Sequence, residues 1–97
     1  MRTTQILIVE DESAVRELLA ATLASAEYGV LEAPDATTAQ ELVTAHSPSL
    51  VLLDWMLPGM SGLDFAKWMK NDPHLKELPV IMLTARDEEN YKVLGLE

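Results

Sequence analysis

Ninety-seven residues suffice for one small domain, and 48% apolar side chains can supply its core. The absence of cysteine excludes disulfide bridges and cysteine-ligated zinc. Seven basic against 16 acidic side chains give a formal charge of −9, which argues against this segment binding nucleic acid or an anionic membrane by its own field.

Met1-Arg2-Thr3-Thr4 leads straight into structure-like sequence, with no signal-peptide pattern. Gln5-Ile6-Leu7-Ile8-Val9 is the first strand candidate, a β-branched apolar run without polar alternation. A helix follows, with Ser13 as its expected cap and Val15, Leu18, Leu19, Thr22 and Leu23 as its expected buried stripe. Tyr28-Gly29-Val30-Leu31-Glu32 is more polar at one end and reads as an edge strand. Asp35 can cap a second helix that turns Ala36, Ala39, Leu42 and Val43 inward. Leu50-Val51-Leu52-Leu53 repeats the apolar run of the first strand. Ser61-Gly62 opens a third helix carrying Leu63, Phe65, Ala66 and Met69, and Asn71-Asp72-Pro73 ends it. Val80-Ile81-Met82-Leu83 is the fourth strand, and a fourth helix is expected from near Asp87 with Tyr91 and Leu94 one turn apart.

Continuous apolar runs fit strands covered on both faces, and strands alternating with helices imply a doubly wound α/β domain with right-handed crossovers. The alternative is an α+β arrangement with one antiparallel strand. Val93-Leu94-Gly95-Leu96-Glu97 brings no closing strand, so the chain reads as a fragment, and a bare strand edge invites pairing with a second copy. No apolar run approaches the ~20 residues of a membrane helix, and the expected compartment is the cytoplasm.

The chemistry-bearing residues stand at strand ends: Glu10-Asp11-Glu12 after the first strand, Asp54 after the third and Thr84 after the fourth. In an open parallel sheet the carboxyl ends converge on one crevice. Carboxylates held close raise one another's pKa, and a hard divalent cation relieves the repulsion. Mg²⁺ suits such a site, because it takes one or two carboxylates and keeps positions for phosphoryl oxygens. An Asp beside it can attack phosphorus, and Thr84 offers a hydroxyl to a phosphoryl oxygen. Glu12 has a competing reading as a charge complementing a helix N-terminus. Pro58-Gly59 marks a turn that holds Asp54 at the base of its loop, with a carbonyl near Met56 placed as a further metal ligand.

Ile6-Leu7-Ile8-Val9-Glu10-Asp11-Glu12, Leu52-Leu53-Asp54-Trp55-Met56-Leu57-Pro58-Gly59 and Pro79-Val80-Ile81-Met82-Leu83-Thr84-Ala85-Arg86, in this order, resemble the receiver domain of bacterial two-component response regulators. The wording of the second and third, with Gly95-Leu96-Glu97, is similar to the OmpR/PhoB group. The resemblance spans residues 1–97 and implies a flavodoxin-like (βα) receiver fold with parallel strand order 2-1-3-4, the family's fifth strand and helix lying beyond this chain. It implies that Asp54 accepts a phosphoryl group from a sensor histidine kinase. Glu10 and Asp11 would hold Mg²⁺, Asp11 more directly, together with Asp54 and the Met56 carbonyl. Thr84 would be the switch hydroxyl, and transcription the output through a C-terminal DNA-binding domain outside this sequence. The family's Lys-Pro pair and aromatic switch residue also fall outside it. The protein is then a signalling phosphoacceptor that assists its own phosphotransfer and dephosphorylation, not a turnover enzyme.

Other readings remain. A receiver-like interaction module would use the same fold without taking phosphate. A metal-dependent aspartyl phosphatase of the haloacid-dehalogenase type would want Asp-x-Asp where Glu10-Asp11-Glu12 stands. A flavin or nucleotide carrier would want a Ser/Thr/Gly-rich loop there. His46 and His74 lack metal-ligand spacing and read as surface residues, Trp68 reads as core, and Trp55 is placed to report metal binding by fluorescence.

Overall fold

The computed structural model describes residues 4–83. Four strands, β1 (Gln5–Val9), β2 (Gly29–Ala33), β3 (Leu50–Leu53) and β4 (Val80–Met82), form one parallel sheet in the order β2-β1-β3-β4. Three helices, α1 (Ser13–Ser25), α2 (Ala36–His46) and α3 (Gly62–Lys70), alternate with them. The doubly wound reading therefore holds, and no antiparallel pair occurs among the described strands. The expected fourth helix and Thr84 lie outside the described residues.

Register explains what the two faces do. Leu7, Val9, Val51, Leu53 and Met82 are buried in one cluster with Ala36, Ala39 and Val43 of α2 and Phe65 and Met69 of α3. Phe65 is fully buried, so its truncation to alanine is expected to cost about 3–5 kcal/mol. Side chains alternate across a strand, so Ile6 and Ile8 belong to the opposite face, the side of α1. Both are buried, but along the row Ile8–Leu52–Ile81 cover thins until Ile81 is exposed. The expectation of strands covered on both faces is met by β1 and not by β4 among the described residues.

Helix α1 corrects two expectations. Its N-cap is Glu12, not Ser13, and the Glu12 side chain makes no capping hydrogen bond. Of the expected buried stripe, Leu19 and Leu23 are half-buried, whereas Val15, Leu18 and Thr22 are exposed, Leu18 at 67%. The 3.6-residue period gave the direction of the face correctly for Leu19 and Leu23, but one helix against one strand pair shields only part of a wide apolar stripe. Helices α2 and α3 follow their sequence signals: Asp35 accepts from the Thr38 N–H at 2.7 Å and Ser61 from the Asp64 N–H at 3.1 Å. Leu75, in the turns after α3, joins the core although no periodicity announced it. His46 and His74 are exposed and Trp68 is half-buried, its ring 5.5 Å from that of Phe65.

Candidate functional site

The site follows from strand register. Val9 is paired with both Ala33 and Leu53, and Leu53 with Met82, so β1, β3 and β4 end in one row. The ladder continues one residue past the strands: Glu10 N–H donates to the Ala33 carbonyl at 3.0 Å, Asp54 N–H to Val9 at 2.9 Å and Leu83 N–H to Leu53 at 2.8 Å. Parallel neighbours lie ~4.8 Å apart. Glu10 and Asp54 are therefore delivered side by side at the point where the sheet order reverses, the place where such sheets bind ligands.

Glu10, Asp11 and Asp54 each offer an oxygen, all within 4.8 Å of one another. Glu10 and Asp54 are buried, at 5% and 8% exposure, and Asp11 is exposed. Two buried carboxylates beside an exposed one form a donor set that fits a hard cation: oxygen only, acidic, and exposed to solvent at Asp11. Burial pushes the Glu10 carboxyl above its ordinary pKa; the Glu12 N–H, donating to Glu10 Oε2 at 3.0 Å, opposes this, and the charges of Asp54, Asp11 and Glu12 reinforce it. Glu12 itself is exposed and starts α1, which agrees with its helix-terminus reading.

Two further groups shape the site. The loop after β3 turns at Gly59, whose φ of 82° lies in the left-handed region that glycine favours. It closes with the Gly62 N–H donating to the Trp55 carbonyl at 2.8 Å. A Cβ on Gly62 would overlap the Asp54 carbonyl and crowd the Met82 methyl at 3.1 Å, so α3 starts against the backbone of Asp54 because residue 62 has no side chain. Arg16 reaches back from the first turn of α1, its Nη1 donating to the Glu10 carbonyl at 2.9 Å and its Nε lying 3.4 Å from Glu32 Oε1. Sequence reasoning found the Gly59 turn and the helix start at Gly62, but passed over the close approach of Gly62 to Asp54 and passed over Arg16. The available signal for Arg16 was that it is the only Lys or Arg between Arg2 and Lys67. Met56 lies in the β3–α3 loop and is 55% exposed, and Trp55 is half-buried.

An open parallel sheet with an acidic crevice at its switch point is the framework that the sequence resemblance implied, and comparison with known proteins agrees. The chain belongs to the response regulator receiver domain family, whose profile matches residues 6–97. Within it, the chain is similar to the phosphate regulon transcriptional regulatory protein PhoB. The Pseudomonas aeruginosa protein is 47% identical over 92 residues, 95% of this chain and 40% of that protein. The Escherichia coli protein is 44% identical over 93 residues, 96% of this chain and 41% of that protein. The chain thus spans about two fifths of the length of these relatives. Among solved structures, a response regulator from Chloroflexus aurantiacus superposes with a TM-score of 0.89 at 32% identity, covering 97% of this chain and 77% of that one. The receiver domain of a Pseudomonas aeruginosa sensor histidine kinase, described with a magnesium ion coordinated in its active site cleft, gives 0.86 at 26% identity over 99% of this chain and 82% of that one. No helix among the described residues is long and apolar enough to cross a membrane.

Proposed function

We propose that this domain, residues 1–97, is a phosphorylation switch in which Asp54 accepts a phosphoryl group from the phosphohistidine of a sensor kinase. The observation that carries the reading is the convergence of Glu10, Asp11 and Asp54 within 4.8 Å at the carboxyl ends of two adjacent strands. An Asp54 carboxylate oxygen forms the new bond to phosphorus as the P–N bond to imidazole breaks, and the imidazole leaves with the electron pair and takes up a proton. The product is an acyl phosphate. Glu10 and Asp11 would hold Mg²⁺ with Asp54, and the Met56 backbone carbonyl is assigned as the further protein ligand. Bound there, Mg²⁺ neutralises charge on the phosphoryl oxygens. The Thr84 hydroxyl is assigned as the group that binds a phosphoryl oxygen and shifts the domain between two states.

The protein is a phosphoacceptor and not a turnover enzyme in this reading. Its output is transcription, as the name of the PhoB relatives suggests, and DNA contact falls to a part of the protein outside these residues. A cytoplasmic location and self-association into a homodimer belong to the same proposal. The test is the intact mass after incubation with acetyl phosphate, in Mg²⁺ and in EDTA. One phosphoryl group gained in Mg²⁺ only, and none in Asp54→Asn, is the expected result. Equal uptake by Asp54→Asn would overturn it, and no uptake in Mg²⁺ that persists in a longer chain running past Glu97 would favour an interaction module.

A further inference from the structure

We propose that Arg16 is a positioning residue for the carboxylate site, fixing the peptide that joins Glu10 to Asp11 and so presetting both side chains against Asp54. This rests on the metal-site reading above. Among the described residues three hydrogen bonds hold Glu10: its N–H donates to the Ala33 carbonyl at 3.0 Å, its Oε2 accepts from the Glu12 N–H at 3.0 Å, and its carbonyl accepts from Arg16 Nη1 at 2.9 Å. The first two fix the strand end and the side chain. Only the third acts on the Glu10–Asp11 peptide plane, which decides where the Asp11 side chain starts.

Arg16 is suited to this by its own anchoring. Its side chain is 17% exposed, and its Nε faces Glu32 Oε1 on β2 at 3.4 Å. The planar guanidinium therefore bridges the β1–α1 turn to the neighbouring strand, a span that the compact ammonium of lysine does not reproduce. Outer groups that orient ligands commonly change metal affinity about 10–100-fold when removed.

Charge and position predict opposite signs here, which makes the proposal decidable. Arg16 places a positive charge beside a cation site. If it acted by charge alone, its removal would tighten Mg²⁺ binding. If it positions the ligands, removal weakens binding.

The test is calorimetric titration of the chain with Mg²⁺, for wild type, Arg16→Met, Arg16→Lys and Glu32→Gln, with thermal midpoints in EDTA alongside. Arg16→Met is expected to weaken Mg²⁺ binding about ten-fold, and Arg16→Lys to fall between it and wild type. Glu32→Gln, which leaves the Glu10 contact in place, is expected to change affinity less than Arg16→Met. Unchanged or tighter binding in Arg16→Met, with wild type binding normally, would overturn the positioning role while leaving the metal site intact. Should Arg16→Met not fold, Arg16→Lys carries the test, and wild-type affinity there would overturn the proposal. A wild-type chain that binds no Mg²⁺ removes both the site and this role.

Discussion

The Asp54 N–H donates to the Val9 carbonyl at 2.9 Å, one step beyond the last register pair of β1 and β3, Val9 with Leu53. That bond makes the position of Asp54 a property of the sheet and not of its loop. The carboxylate starts from a fixed backbone, beside Glu10, which is held in the same way by Ala33. A carboxylate set on a strand end is preorganised by the sheet beneath it.

Gly62 is the other side of that support. In a helix, Gly→Ala ordinarily stabilises by up to about 1 kcal/mol. At Gly62 the added Cβ overlaps the Asp54 carbonyl, and overpacking costs about 1–3 kcal/mol. The overlap outweighs the gain in helix propensity, so Gly62→Ala is expected to lower the urea midpoint. It is also expected to weaken Mg²⁺ binding, because the overlap is relieved by movement of Asp54. A raised midpoint would show that the close approach is not required.

Glu10 gives a pH signature. Its folded pKa lies above its unfolded one, chiefly through burial. Between the two values the folded chain keeps a proton that the unfolded chain has lost. This contribution to stability therefore falls as pH rises through that window, and the cost is fully present above the folded pKa. Without metal, Glu10→Gln is expected to be more stable than wild type at neutral pH, with the advantage shrinking on acidification. Urea melts at several pH values in EDTA read this directly. In Mg²⁺ the order should reverse, since the wild-type carboxylate then has a cation to bind. A Glu10→Gln advantage that is the same at every pH would remove the carboxyl as its cause.

Helix α1 ends in a backbone pattern that glycine usually completes. Glu27 sits at φ 72°, its N–H donating to Ala24 and that of Tyr28 to Leu23 at 3.1 Å. A left-handed conformation costs a non-glycine residue about 1–2 kcal/mol, and the greater freedom of unfolded glycine returns about 0.4–1 kcal/mol of that. Glu27→Gly is thus expected to stabilise by about 0.5 kcal/mol, within these two bounds, with phosphoryl uptake unchanged. A thermal melt decides the sign.

How much of this was legible in the sequence varied with the kind of interaction. Strand identity and the parallel α/β class came from apolar runs alternating with helices, which depend on burial and survive in one dimension; the spatial order 2-1-3-4 came from the resemblance to the receiver family. The caps Asp35 and Ser61 were legible because capping is local. The acids at strand ends were legible because parallel topology alone brings them together. Arg16 was not, since its role depends on a side chain folding back six residues to the Glu10 carbonyl. Nor was Gly62, whose constraint comes from how closely α3 approaches β3. The exposure of Val15 and Leu18 was misjudged because periodicity gives a face, and what covers that face is a matter of packing.

Where the phosphoryl group goes bears most directly on the role of Asp54. The chain is incubated with acetyl phosphate and Mg²⁺, reduced with borohydride to trap any acyl phosphate, and mapped by peptide mass. The reduced residue is expected at position 54 alone, with Glu10 and Asp11 unmodified. Modification at Asp11 or Glu10 in place of Asp54 would contradict the division of roles within this carboxylate cluster.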